Sequence, residues 1–370
     1  MMMHIHSRWR RLQPAGSRLV STGGGPKRRD ESRRLTHECV RHIAWLAALL
    51  AGAAFAQQNS APQAPAEIRV EPVRGHIYLI AGAGGNIIAS IGSDGVLLVD
   101  SGLAQNADKV LASINQLNRE IANKGGLPTT TVIPPKPIRY IINTHLHPDH
   151  TGGNEKISKA GRTITGGNVT GEFGDAAEGA TVVAQQAVLD RMSAIKPPVP
   201  FAALPEDTYH DDMKLSHFFN GEAVILQHMP AAHTDGDTLV YFRGSDVIAT
   251  GDIFTTTSYP FLDLQNGGGI QGELNALNHI LDLAVAEFRT EGGTLIVPGH
   301  GRICDIADVA YYRDMVTIVR DRVQAMMKKD MSLDQIKASK PTADWDPRYG
   351  SGDRFVEAVY RSLNNSPSKK

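Results

Sequence analysis

Cysteine is nearly absent from this chain: Cys39 and Cys304 are the only two in 370 residues. A scaffold held by disulfides is therefore excluded. Aromatic residues make up only 6%, and no short repeat is visible, which excludes repeat arrays. The apolar run Ile43–Phe55 has 13 residues, too few for a membrane-spanning helix, which needs about 20. An excess of one charge sign is missing as well, with 38 Lys and Arg against 39 Asp and Glu. There is no Gly-x-Ser-x-Gly motif, so a serine nucleophile on a strand-to-helix elbow is not indicated.

What is present begins with a leader. Residues 1–38 are rich in Arg, Ser and Gly without apolar periodicity. Arg41-His42 then precedes the run Ile43–Phe55, which closes on Ala54-Phe55-Ala56. A cationic start, a short apolar core and an Ala-x-Ala end compose a secretory signal peptide. Cleavage is expected after Ala56, with the product periplasmic or secreted and not stably inserted in a membrane. The long approach to the apolar core fits translation from Val40 as well as from Met1. Gln57–Ala66 reads as a flexible linker, and 67–370 as the functional domain. Residues 1–56 hold ten basic and three acidic residues, so the mature chain keeps 28 and 36, a net −8. That balance argues against a nucleic-acid partner and for a small-molecule substrate; oligomeric state is not readable. Only Cys304 survives cleavage, so no intrachain bridge can form.

Along the mature chain, strands come first. EIRVEPV, HIYLIAG and NIIASIG lie between Glu67 and Gly92, and Gly95–Asp100 has the apolar run of a strand buried on both faces. Helical spacing follows over Ala107–Ile121, then a Pro/Thr-rich loop over Gly125–Pro137 and a strand at Ile138–Ile142. A Gly-rich irregular stretch (161–180) precedes a helix expected over Val182–Ile195. Strands are expected at Ala223–Gln227, Thr238–Phe242, Asp246–Thr250 and Thr294–Val297, and helices over Gly272–Phe288 and near 305–328 and 352–363. Leading strands with interleaved helices imply an α/β layered domain.

The chemistry concentrates in Thr144-His145-Leu146-His147-Pro148-Asp149-His150-Thr151-Gly152-Gly153. Imidazole nitrogen and carboxylate oxygen are the donors that Zn²⁺ accepts. In an extended segment His145 and His147 point the same way and can share one ion. Asp149 and His150 follow the proline and can turn toward a second, and Gly152-Gly153 permits a tight bend.

The run HLHPDH resembles the HxHxDH signature of the metallo-β-lactamase superfamily, and the family's other marks follow in order. Asp100 in GVLLVDSG resembles the first motif, an acid behind the metals. His233 in AAHTDGDT resembles the third, Asp252 in IATGDIF the fourth, and His300 in IVPGHG the fifth. The resemblance implies an αβ/βα four-layer sandwich, two mixed β-sheets flanked by helices with metals at one edge. It implies two Zn²⁺ per chain: one on His145, His147 and His233, the other on Asp149, His150 and His300, with Asp252 between them. It also implies a metal-bound hydroxide attacking a cyclic amide, ester or thioester carbonyl, with Asp149 orienting the hydroxide and relaying its proton. A mononuclear iron oxidoreductase of the persulfide-dioxygenase type is the alternative, using the first histidine site alone.

β-Lactamase activity is compatible with AHTDGDTLVYF, which is similar to the secreted β-lactamases of this fold. Two features depart from them. Those enzymes usually carry Cys or Ser where Asp252 stands, and no Lys or Arg lies between Asp252 and Phe288 to meet a β-lactam carboxylate. Thr255 to Tyr259 offer neutral donors instead. Among the remaining candidates, His228 reads as packing or as a donor behind the site. His210-Asp211-Asp212 reads as a polar turn, Asp235 and Asp237 as turn or support residues, and Cys304 as a half-buried helix start. His76 and His217 have no ligand-spaced partner.

Overall fold

The structure is a computed structural model and describes residues 67–124, 136–163, 179–215, 218–286 and 292–365. The expected leader and linker, most of the 125–137 loop and of the 161–180 stretch, and His217 lie outside the described residues. Alternation along the strands builds the layers. All of β4 (Gly95–Val99) is buried because Val96 and Leu98 face one apolar layer while Leu97 and Val99 face another. Such two-faced burial explains its unbroken apolar run.

β1 (Arg69–Arg74), β2 (Ile77–Ala81), β3 (Ile87–Gly92), β4, β5 (Ile138–Ile142), β6 (Thr181–Gln185) and β7 (Asp207–Tyr209) lie side by side in one sheet. β1 to β4 pair antiparallel and β4 to β7 parallel. The helix Ala107–Lys124 supplies the crossover that the parallel β4–β5 pair requires. The second sheet has the order β12-β11-β10-β9-β8, from β8 (Asp212–Lys214), β9 (Val224–Met229), β10 (Asp237–Phe242), β11 (Val247–Ala249) and β12 (Leu295–Val297). Only its β11–β12 pair is parallel.

The sheets meet through Leu79, Leu97 and Ile142 on one side and Leu226, Val240 and Phe242 on the other. The outer face of the first sheet packs on Val110, Ile114 and Leu117 of the crossover helix. The second is covered by helices Ile270–Leu283, Ile306–Met327 and Asp353–Asn365, through residues such as Leu277, Val316 and Phe355. Each such side chain contributes about 1.5–3 kcal/mol on burial. The result is the four-layer αβ/βα sandwich, with both sheets mixed.

Local outcomes differ from the sequence pattern in several places. The helix expected from Val182 starts only at Gln186. Val182 and Val183 are β-branched and fully buried, and they extend to pair with Ile141 and Ile142; Gln185 then caps the helix by accepting from Ala187 N. The helix expected to reach Phe288 ends at Leu283, where Val285 leaves to exchange hydrogen bonds with Thr294. β7, β8 and the helix Leu333–Ala338 were not expected, the strands being three residues long and largely polar.

Candidate metal centre

β4, β5, β9, β11 and β12 all end at one edge of the sandwich, and the residues just beyond them carry the donors. After β5, Asn143 N and Thr238 N fasten the chain, bonding Val183 O and Thr144 O. Leu146 turns into an apolar cluster with Ala184, Val188 and Met192, which leaves His145 and His147 facing the other way. Pro148 opens the short helix Pro148–Thr151, since its fixed φ suits a first turn. That turn carries Asp149 and His150.

Two sets of side chains converge, each with donor atoms within 4.8 Å of one another. One comprises His145, His147, His233 and Asp252; the other Asp149, His150 and His300. Asp252 lies between them. Its Oδ1 is 3.2 Å from His150 Nε2 and 3.5 Å from His300 Nε2, and its Oδ2 is 3.9 Å from the Nε2 atoms of both His145 and His233. All seven residues expected from the sequence are thus brought together.

Almost every imidazole has one nitrogen tied to the fold, leaving the other aimed inward. His145 Nδ1 lies 3.0 Å from Thr144 Oγ1, His150 Nδ1 is 2.7 Å from Asp100 Oδ2, and His233 Nδ1 is 2.5 Å from Phe261 O. His147 uses the opposite atom: Nε2 is 2.9 Å from Asp263 Oδ2. Such contacts fix ring orientation and tautomer in metal sites.

The inward atoms then have an electrostatic problem. His147 Nδ1 and His233 Nε2 are 3.0 Å apart. Asp263 Oδ2 and Phe261 O are acceptors, so each ring points an N–H at them and turns its other nitrogen toward the shared focus. His145 Nε2, His150 Nε2 and Asp252 Oδ1 are buried without a hydrogen-bond partner. Buried polar atoms are normally satisfied; a cation at each focus would satisfy all of these at once. The donor set, imidazoles with carboxylates, fits a borderline-soft divalent ion such as Zn²⁺.

Titration follows the same logic. Burial holds His145 well below the usual histidine range and His233 at about 4, so both stay neutral. Burial also acts against the His150 charge, but Asp252 and Asp100 outweigh it and the net shift is well upward. His300 is raised to about 9: burial opposes its charge, and the Asp149 hydrogen bond and the neighbouring Asp252 carboxylate prevail. Asp252 is held well below the carboxylate range, the surrounding histidines overcoming burial.

Of the supports behind the donors, Asp100 was marked by its motif in the sequence, whereas Asp263 was not. Asp100 adopts a left-handed backbone (φ 66°), seldom used by a residue with a side chain. In that geometry its carboxylate also accepts from Thr144 N and Oγ1, each at 2.8 Å. Asp263 caps its own turn by accepting from Gln265 N and Asn266 N while holding His147. Gly299 admits no Cβ, which would collide with Asp252 Oδ1. Of the secondary candidates, His228 Nε2 sits 2.7 Å from Asp235 O, behind the site. Asp235 pairs with Arg191 at 2.5 Å, Asp237 accepts from Thr234 N and Oγ1, and His76 pairs with Glu222 at 2.9 Å. Cys304 is fully rather than half buried, in a bridge to Ile296, and Asp305 caps the helix.

The profile of the metallo-beta-lactamase superfamily matches residues 71–300. The chain belongs to that superfamily. The matched span opens in β1 and closes on His300, enclosing all seven converging donors and Asp100. The chain is 28% identical over 115 residues to a hydroxyacylglutathione hydrolase of Pelagibacter ubique (strain HTCC1062), a stretch covering 31% of this chain and 36% of that relative's length. Among solved structures, the stereoselective inverting sec-alkylsulfatase Pisa1 from Pseudomonas sp. superposes with a TM-score of 0.56 at 17% identity, over 82% of this chain and 51% of that one. DIM-1 metallo-beta-lactamase gives a TM-score of 0.47 at 16% identity, over 68% of this chain and 97% of that one. At 17% identity the likeness to the alkylsulfatase is one of fold.

Proposed function

We propose that this protein is an exported, dinuclear zinc-dependent hydrolase acting on an ester, thioester or cyclic amide carbonyl. The observation that carries the reading is the doubled donor set sharing Asp252, in which unpartnered nitrogens and a carboxylate oxygen face two adjacent foci. The proposed ligands are His145, His147 and His233 for one ion, Asp149, His150 and His300 for the other, with Asp252 common to both. Held by these residues, a pair of divalent ions would supply Lewis acidity and a nucleophile near neutral pH.

The chain's own groups supply the remainder. Asp149 is one-third exposed on the open side, with Oδ2 3.1 Å from His300 Nε2. Burial favours its neutral form, but the His300 hydrogen bond and the His150 charge outweigh that and keep it ionised. It is placed to accept a proton from the attacking water and to return it to the leaving group. Thr255 is buried and its hydroxyl donates to His300 O at 3.2 Å, so the half-buried Thr256 and the exposed Thr257 are the neutral groups placed to meet substrate beside His300. The relative named as a hydroxyacylglutathione hydrolase favours a thioester or ester among these options, and Asp252 favours them over a β-lactam.

Metal content of protein from its own host, followed by hydrolysis of an aryl ester, a thioester, a lactone and a β-lactam by the same preparation, tests the reading. Two zinc-type ions per chain are expected, with ester or thioester turnover that a chelator abolishes and added zinc restores. A single tightly held iron without hydrolysis would overturn it in favour of the iron oxidoreductase. N-terminal sequencing of exported protein should find Gln57; a retained leader would remove export from the proposal.

A further inference from the structure

Beside the second donor set the surface opens into a cleft of about 520 Å³, whose wall includes His300, Thr256 and Thr257 on one side and Arg69 and Glu71 on the other, with Arg302 also in the lining. The loop after Asp252 contains no cation, yet the fold brings two guanidinium groups to this cleft from elsewhere. Arg302 lies two residues beyond His300. Its Nη1 and Nη2 donate to Asp308 at 2.9 and 2.6 Å, which fixes its direction while the side chain stays 60% exposed. Arg69 stands at the start of β1, opposite Ala81. Among the described residues no hydrogen bond or ion pair holds it.

We infer that this cleft receives the non-reacting end of the substrate and that this end carries a carboxylate or similar anionic group. The inference rests on the hydrolase reading above, since it treats His300 as marking the reacting end. Arg302 Nη1 is spent on Asp308 and on Ile303 O at 2.9 Å, and the planar guanidinium so held keeps its remaining Nη2 and Nε N–H groups in a fixed fork suited to an oxyanion. Arg69, unpaired among the described residues, supplies a second cation, and Thr256 and Thr257 line the cleft together with His300. Glu71, two residues along β1 from Arg69, sets a limit: its carboxylate disfavours an anion beside it, so the anionic group belongs near the arginines. Two other roles are available to these residues. Arg302 pairs with Asp308 in the first turn of a helix, and a charge on an edge strand discourages edge-to-edge pairing. Neither role discriminates between substrates.

The test uses a matched pair of acetate esters on zinc-loaded protein: 4-acetoxybenzoate, whose leaving group carries a carboxylate, and its neutral methyl ester. The readout is the ratio of kcat/KM values, anionic over neutral. Arg69→Ala and Arg302→Ala should each lower that ratio about tenfold, mainly through KM, the scale of one lost hydrogen bond to a charged group. Arg302→Lys should recover part of the loss, and Glu71→Gln should raise the ratio two- to threefold, with less repulsion of the anion. Arg69→Ala guards against misfolding in Arg302→Ala, because it removes no partner from the described residues. Calorimetric binding of 4-hydroxybenzoate to zinc-loaded protein reads the cleft without turnover. Binding that weakens in both arginine variants supports the cleft even if neither ester is cleaved, a result that would count against the hydrolase reading alone. Unchanged ratios in Arg69→Ala and Arg302→Ala, or binding of 4-hydroxybenzoate indifferent to both, would overturn the inference.

Discussion

The two donor sets at the sheet edge are built differently. In the first, His145 and His233 are essentially inaccessible, and all three rings are tied by Thr144, Asp263 or the Phe261 carbonyl. Phe261 stands 63% exposed beside this set, its ring centroid 5.9 Å from that of His147 and 5.7 Å from that of His233. In the second, only His150 is buried and anchored, through Asp100. Asp149 and His300 are about one-third exposed, and their polar contacts run to each other and to Asp252. Preorganisation is thus concentrated in the first set, and solvent and substrate access in the second. The first should hold its ion tightly, and the second should exchange its ion and meet the substrate.

The largest expected effect falls on the residue common to both. Asp252→Ala should lower kcat/KM on the order of 10³-fold and reduce metal content at both positions; retention of two ions with full activity would break the shared-carboxylate arrangement. Next comes the contrast itself. After dialysis, His233→Ala should lose the tightly held ion, whereas His300→Ala should keep one ion per chain and lose only the fraction that a weak chelator removes from the parent. Equal losses in the two variants would show that the sets do not differ in the manner described. A smaller effect is expected from Asp263→Asn, which leaves His147 in place but weakens the acceptor behind it. Affinity at the first position should fall about 10–100-fold in a chelator competition, with the second unchanged. His228→Ala, whose contact is to the Asp235 carbonyl, serves as the unaffected control.

The smallest effect concerns stability beneath the first set. Glu273 on the helix Ile270–Leu283 is fully buried, with neither carboxyl oxygen hydrogen-bonded. Burial, reinforced by Asp237 and Asp252, raises its pKa well above the ordinary glutamate value of about 4.5. The folded state therefore keeps this proton after the unfolded chain has released it. Its contribution is fully present below pH 4.5 and is lost as pH climbs toward the folded value, at about 1.4 kcal/mol per pH unit. Denaturant midpoints of Glu273→Gln and parent should coincide near pH 4.5 and diverge above it, the variant being the more stable. Parallel profiles would mean that Glu273 ionises in the folded protein.

How much of this was legible in the sequence varies with the range of the interactions. Strand–strand–helix order, the two-faced burial of β4 and the clustering of His145, His147, Asp149 and His150 follow from local pattern, because side-chain alternation and a six-residue motif need no distant partner. The positions of His233, Asp252 and His300 were readable through motif order, since each directly follows an apolar strand. β6 was not, because Val182 and Val183 suit helix or strand until β5 is there to pair with them. Asp263 lies 116 residues from His147, and Phe261 lies 28 from His233; nothing local distinguishes either from an ordinary loop residue. Glu273 reads as the polar face of an amphipathic helix, and only packing against the second sheet buries it. Arg69 and Arg302 are 233 positions apart in the chain and line one cleft only because the start of β1 and the turn after His300 meet at the same edge. Donor chemistry was thus set by residue type and spacing, whereas ring orientation, burial and the cations near the substrate were decided by which strand ends the tertiary fold brings together.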